Sequence, residues 1–272
     1  MGDILYDFIV IGASHDGYKI VKTLCKFKPN LKICFISKKF DKKQILPENV
    51  VCIIGSPIYS TFNHGVIGIN LSDKAYFGTK IIIATGTKPK KLTGLKTEYL
   101  GYKLSDLSIR SKITPIVIVG NNDEAAKGAL TLAETHKYIY MCLKDSELQC
   151  SDELKEKIIN KSNILVLPLS SVVACKHNKQ NKLQEVKLST YSVLKCGFII
   201  AFTERSPELP RLANNMLTVD VNGAIKVNKN NETEIIPNIF AIGGCASKTS
   251  INYSKLAAYT LGIKNVEEAD LC

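Results

Sequence analysis

Tyr6-Asp7-Phe8-Ile9-Val10-Ile11-Gly12-Ala13-Ser14-His15-Asp16-Gly17 is the stretch that decides the fold. Its apolar run ends at Gly12 and reads as a buried parallel strand, because a strand covered on both faces carries consecutive β-branched and aromatic residues. The turn after it is G-x-G-x-x-G with serine in the second glycine place. In the intact pattern the first glycine makes a tight turn, the second lets the backbone approach a pyrophosphate, and the third lets helix and strand pack closely. Ser14 adds a small side chain where phosphates would lie, which weakens such a contact without excluding it. Downstream, Ile20, Val21, Leu24 and Phe27 share one helical face, with Lys19, Lys22 and Lys26 elsewhere. Lys32–Ser37 reads as a second buried strand. Strand, turn, helix and strand within about 30 residues make a βαβ unit.

The same pattern returns a hundred residues later. Pro115–Val119 is an apolar strand, Gly120-Asn121-Asn122-Asp123-Glu124-Ala125 a second glycine turn, Asp123–Glu134 a helix and Tyr138–Leu143 a strand. This internal repeat predicts two domains. A chain of 272 residues allows them, since single cores rarely grow past roughly 250 residues. The expected fold class is therefore α/β with two Rossmann-like dinucleotide-binding domains. In the second turn alanine is an accepted third residue, whereas Asn122 intrudes at the second place, although asparagine tolerates left-handed backbone. The ribose-holding carboxylate expected about 20 residues after the first motif falls at Ser37-Lys38-Lys39, where the nearest acid is Asp41. After the second motif Leu143-Lys144-Asp145 holds that place and does not choose between the two nicotinamide cofactors.

Around these units, Val50–Ile54 and Val66–Asn70 read as strands of a small antiparallel layer, and Lys80–Ala84 as a buried strand ending at Thr85-Gly86. Asn163–Leu167, Leu183–Leu188 and Gly197–Ala201 read as strands, with Lys176–Lys182 a hairpin turn. Gly223–Val227 and Ile239–Ile242 read as strands, and Tyr253–Ile263 as a helix.

Composition narrows the function classes. Hydrophobic residues at 45% and charged residues at 22% describe a folding globular chain rather than a disordered one. The net charge of +11 comes from scattered lysines, the densest at Lys38-Lys39, Lys42-Lys43 and Lys88-Pro89-Lys90-Lys91, without the interleaved aromatics that stack single-stranded bases. Such scatter reads as a solvated surface rather than a nucleic-acid footprint, and a phosphate-rich cofactor or an acidic protein partner explains the charge equally well. The nine cysteines form no C-x-x-C pair and no metal-ligand spacing, so neither a disulfide framework nor a metal site is expected. With no signal-peptide pattern and no apolar run near 18 residues, the expectation is a cytoplasmic protein without a membrane partner.

Four segments in order, Gly12–Gly17, Ile83-Ala84-Thr85-Gly86-Thr87-Lys88-Pro89, the second glycine turn, and Asn238-Ile239-Phe240-Ala241-Ile242-Gly243-Gly244, resemble the thioredoxin reductases. These are the low-molecular-weight branch of the pyridine-nucleotide-disulfide oxidoreductases, and the resemblance runs nearly the whole length. It implies an FAD-type domain split into residues 1–104 and 208–272, with an NAD(P)H-type domain, 105–207, inserted. It also implies that Gly12, Ser14, Gly17, Thr85, Gly86, Gly243, Gly244 and, on the last helix, Ala257 face FAD. Gly120, Asn122 and Ala125 would face NADP or NAD, and the chain would form a homodimer. Two departures stand against this. The family's redox C-x-x-C precedes the second glycine turn, and Leu100–Lys112 contains no cysteine. The family's ribityl-binding aspartate is replaced by Gly244. The resemblance therefore implies either an oxidoreductase passing electrons from NAD(P)H through flavin to an acceptor other than an internal disulfide, or a catalytically degenerate relative that acts as a binding or regulatory module. No catalytic residue can be nominated.

Overall fold

The computed structural model describes residues 4–95, 97–107, 114–212, 216–248 and 250–263. Its elements begin with β1 (Leu5–Ile11), α1 (His15–Phe27), β2 (Ile33–Ser37), β3 (Val50–Ile54), β4 (Tyr59–Asn63), β5 (Val66–Asn70), β6 (Ala75–Ile83) and β7 (Thr87–Pro89). They continue with β8 (Leu100–Gly101), β9 (Ile116–Val119), α2 (Asp123–Ala133), β10 (Ile139–Cys142), α3 (Asp152–Ile159) and β11 (Ile164–Leu167). Then come β12 (Val172–His177), β13 (Leu183–Leu188), β14 (Val193–Lys195), β15 (Phe198–Ala201), β16 (Arg205–Pro207), β17 (Ile239–Ala241) and α4 (Tyr253–Leu261).

Two compact units result, Met1–Lys88 with Ser206–Cys272, and Pro89–Arg205. The N-terminal crossing lies earlier than the expected 104/105, because Leu100–Gly101 pairs in parallel with β15 and so belongs to the second sheet. The segments that carry the chain across, β7 and β16, pair with each other.

In the first unit the parallel strands run β3-β2-β1-β6, with β17 on the far side of β6. β6 has three partners within one seven-stranded sheet. Its N-terminal half pairs antiparallel with β5, while Ile81, Ile82 and Ile83 pair in parallel with both β1 and β17. Helix α1 starts at its Ser14 cap and stops at Lys28, which precedes a proline and takes the extended backbone that this position favours. Its Ile20, Val21 and Leu24 are fully buried, each contributing on the order of 2 kcal/mol of apolar burial. Val50–Ile54 is not part of an antiparallel layer. β3 pairs in parallel with β2, as the connection of about a dozen residues between them permits. An apolar pentapeptide does not reveal strand direction. Gly223–Val227 forms no strand, only single bridges from Ile225 to Val219 and Ala246 and from Val227 to Thr233.

The second unit repeats the plan with parallel strands in the order β11-β10-β9-β15-β8, and adds an antiparallel sheet β12-β13-β14. Strand β12 extends to His177, so the hairpin turn is tighter than the expected Lys176–Lys182. Asn178 Oδ1 closes it by accepting from the backbone N–H groups of Gln180 and Lys182. Among the described residues no helix is long and apolar enough to cross a membrane. Nor does any group of three or more His, Cys, Asp or Glu among them stand ready to hold a metal ion.

Candidate functional site

At the carboxyl end of β1 the chain has little freedom. Gly12 has φ of +106°, and a Cβ there would lie 2.5 Å from the Ala84 carbonyl oxygen. A Cβ on Gly17 would lie 2.0 Å from the Gly12 carbonyl oxygen. Both glycines are thus required by backbone meeting backbone. Ser14 caps α1, its hydroxyl accepting from the Gly17 N–H at 3.2 Å, while the Ala13 N–H donates to Ser37 Oγ at 3.2 Å. The amides of His15 and Asp16 have no carbonyl within the helix to bond, and with the helix dipole they make a site that attracts anions.

A cavity of ≈ 580 Å³ opens beside this turn, wholly within the first unit. Gly12, Ala13 and Ser14 form one part of its lining and Ser37, Lys38 and Lys39, at the end of β2, another. Pro57, Ile58, Leu209 and Pro210 supply apolar walls. Its charged lining is Lys38, Lys39, Lys88 and Arg211 against the single acid Glu208. Glu208 is held in place through its backbone, which donates to the Gly86 carbonyl at 2.9 Å and accepts from the Thr85 hydroxyl. Its carboxylate pairs with Lys38 at 2.5 Å. Thr85 therefore lines the cavity with its hydroxyl already engaged, and Gly86, at φ +70°, supplies a carbonyl to the returning chain.

On the other side of the first turn the space is taken. The Tyr253 hydroxyl donates to Asp16 Oδ1 at 2.6 Å. Asp16 Oδ2 lies so close to Gly243, whose φ is +69°, that a Cβ there would come within 2.0 Å of it. Gly244 meets Thr87, with a Cβ at that position falling 2.6 Å from Thr87 Cγ2. Burial first, and then the Asp16 hydrogen bond, push the Tyr253 phenol above its ordinary range. Asp16 and Tyr253 thus take up the space between the start of α1 and the turn after β17. A carboxylate at a helix N-terminus also supplies the negative charge that a pyrophosphate would otherwise bring. Ala257 is fully buried in the core on α4 and is not part of the cavity lining.

The second turn is hydrogen-bonded to the chain that follows β10. Gly120 has φ of +142° and faces the Phe202 carbonyl, Asn122 caps α2 by accepting from the Ala125 N–H at 3.0 Å, and Ala125 is fully buried. The Gln149 N–H donates to the Asn121 carbonyl at 2.7 Å, and Asn121 and Gln149 both donate side-chain bonds to Asp145. Ser151 N–H reaches Asp123 Oδ1 at 3.0 Å. The segment after β10 is thus strapped across the turn. Of the expected pieces, Gly12, Ser14 and Thr85 come together at one cavity and Gly17 stands behind them. Gly120, Asn122 and Ala125 come together at a turn tied by hydrogen bonds to the segment after β10.

The thiols do not resemble redox nucleophiles. Burial pushes Cys34 and Cys196 up to about 12 and Cys142 to about 11, against the lowered values that reactive thiolates show. Cys245 is buried, its thiol directed at the carbonyls of Ile242 and Ile83. Sequence reasoning missed the cations of the cavity as a group. Lys38-Lys39 were visible as a basic stretch and as a missing acid but not as part of a cavity, and nothing in the sequence places Arg211 beside them.

Comparison with known proteins agrees with this architecture. The family model described as pyridine nucleotide-disulphide oxidoreductase matches residues 67–269. Among solved structures, thioredoxin reductase from Lactococcus lactis is similar at 17% identity, covering 95% of this chain and 98% of that one, with a TM-score of 0.78. Thioredoxin reductase from T. acidophilum is similar at 16% identity, covering 95% and 96%, with a TM-score of 0.77. A search of curated protein sequences finds no match.

Proposed function

The chain belongs to the pyridine nucleotide-disulphide oxidoreductase family, and from that premise we propose that it is a nucleotide-binding member that does not carry electrons through a flavin. The observation that carries this reading is the Asp16–Tyr253 pair seated against Gly243. It leaves the adenosine side of the first unit open as a basic cavity and blocks the flavin side. Gly12 permits the close backbone approach, the first-turn amides of α1 would hold phosphate oxygens, and the apolar walls would flank a base.

Other features point the same way. The sequence has no C-x-x-C, so no attacking and resolving thiol pair at that spacing exists to pass electrons to a disulfide. The place of the ribityl aspartate is Gly244, and the second turn, expected to hold NADP or NAD, is hydrogen-bonded to the segment carrying Gln149. The eight free cysteines among the described residues suit the reducing cytoplasm expected from the sequence. The competing reading, electron flow from NAD(P)H through FAD to an external acceptor, has the family's fold behind it and needs Asp16 and Tyr253 to move.

The test is direct. Purified protein, incubated with excess FAD and desalted, is expected to remain colourless, while calorimetry detects binding of 5′-ADP. Retention of stoichiometric flavin whose colour is bleached by NADPH or NADH without oxygen would restore the electron-transfer reading and overturn this one.

A further inference from the structure

We propose that the cavity of the first unit selects an adenine nucleotide carrying a phosphomonoester on its ribose, and that Lys38 and Lys39 read that phosphate. The proposal rests on the nucleotide-binding reading above and names the ligand class. When the 5′-phosphates of a nucleotide lie on a glycine turn, its ribose comes to the end of the second strand of the βαβ unit. An acid at that point holds two free hydroxyls, whereas a basic group accommodates a phosphate ester. Here β2 ends at Ser37, and the next two residues are exposed lysines lining the cavity.

Three features make this more than a solvated pair of lysines. Ser37 Oγ accepts from the Ala13 N–H, so the strand end and the phosphate-binding turn are fixed to each other and the spacing between phosphate and lysines is set by backbone. Around the cavity, Lys38, Lys39, Lys88 and Arg211 face only Glu208, so the lining carries a net positive charge that suits a polyanionic ligand. Lys39 has no ion-pair partner among the described residues, and Lys38 has an exchangeable one: its side chain is 69% exposed in its pair with Glu208. Exposed pairs of that kind contribute little, so a dianionic phosphate can displace the carboxylate.

Calorimetric titration of the full chain with 2′,5′-ADP, 3′,5′-ADP and 5′-ADP at low salt tests this. One of the two bisphosphates is expected to bind at least tenfold more tightly than 5′-ADP, and which one does so locates the ester. In the variant K38E/K39E that preference is expected to fall to near unity, with an unchanged melting temperature because both residues are exposed. Equal binding of all three probes overturns the inference and leaves the nucleotide-binding reading intact. Binding of none overturns both. A preference that survives K38E/K39E overturns the assignment to these lysines.

Discussion

The two glycine turns of this chain start from the same strand-turn-helix plan and end differently. In the first, Gly12 and Gly17 meet backbone to backbone and the turn opens onto a basic cavity. In the second, Ala125 replaces the third glycine and the turn is tied by hydrogen bonds to the chain that follows β10. The first has kept the tightness that lets a helix N-terminus approach a ligand. The second uses the same hydrogen-bonding groups to hold its own fold. A repeated motif thus identifies a repeated scaffold, and only the segment facing the motif says whether a ligand can reach it.

The largest expected effect of breaking that comparison lies at the third motif position. Gly17→Ala would place a methyl 2.0 Å from a backbone oxygen that cannot move without displacing the turn. Destabilisation of about 3 kcal/mol or more is expected from such an overpacked backbone contact. Ala125→Gly, the converse change at the matching place, is expected to cost about 1 kcal/mol, the propensity difference between the two residues in a helix. Urea unfolding followed by circular dichroism checks the order. Equal losses at both sites would mean that the two turns are equally tight.

The straps across the two turns come next. Asp145 accepts from both Asn121 and Gln149 beside the second turn, and Asp145→Ala leaves those amides without their shared partner. A loss of about 1.5 kcal/mol is expected, together with faster hydrogen exchange at Gln149 N–H. Glu208→Ala removes only an exposed ion pair at the first cavity, while the backbone bonds of Glu208 to Thr85 and Gly86 remain. Its cost is expected to stay within about 0.5 kcal/mol. A large loss from Glu208→Ala would make the first turn as strapped as the second.

Much of this fold was legible in the sequence because its signals are local. Apolar runs ending at Gly12 and Gly120 and the amphipathic spacing of Ile20, Val21 and Leu24 required only neighbours a few residues apart. The direction of Val50–Ile54 was not legible, since strand pairing depends on the connection and not on the pentapeptide. Gly223–Val227 has strand composition yet meets its neighbours through single bridges. The candidate site was legible as Gly12, Ser14 and Thr85, and its chemistry was not. The contact of Asp16 with Tyr253 and the approach of Arg211 to the end of β2 join residues about 200 positions apart, and no periodicity encodes such meetings.

The smallest expected effect concerns the two residues standing in the second glycine place. Ser14 and Asn122 each spend a side-chain oxygen on the N–H three residues ahead, which caps the helix and withdraws one donor from any anion at its N-terminus. Replacing either by glycine costs only a few tenths of a kcal/mol in capping. Ser14→Gly would return the Gly17 N–H to a phosphate oxygen in the open cavity. One recovered charge-assisted bond, worth about 1 kcal/mol net, corresponds to roughly a fivefold gain in 5′-ADP affinity. Asn122→Gly frees the same kind of donor beneath the Gln149 segment, where no gain is expected. Titration of both variants decides the matter: a gain at Asn122→Gly would mean that the second turn is open to ligand, and the contrast between the two units would fail at the point where it was drawn most finely.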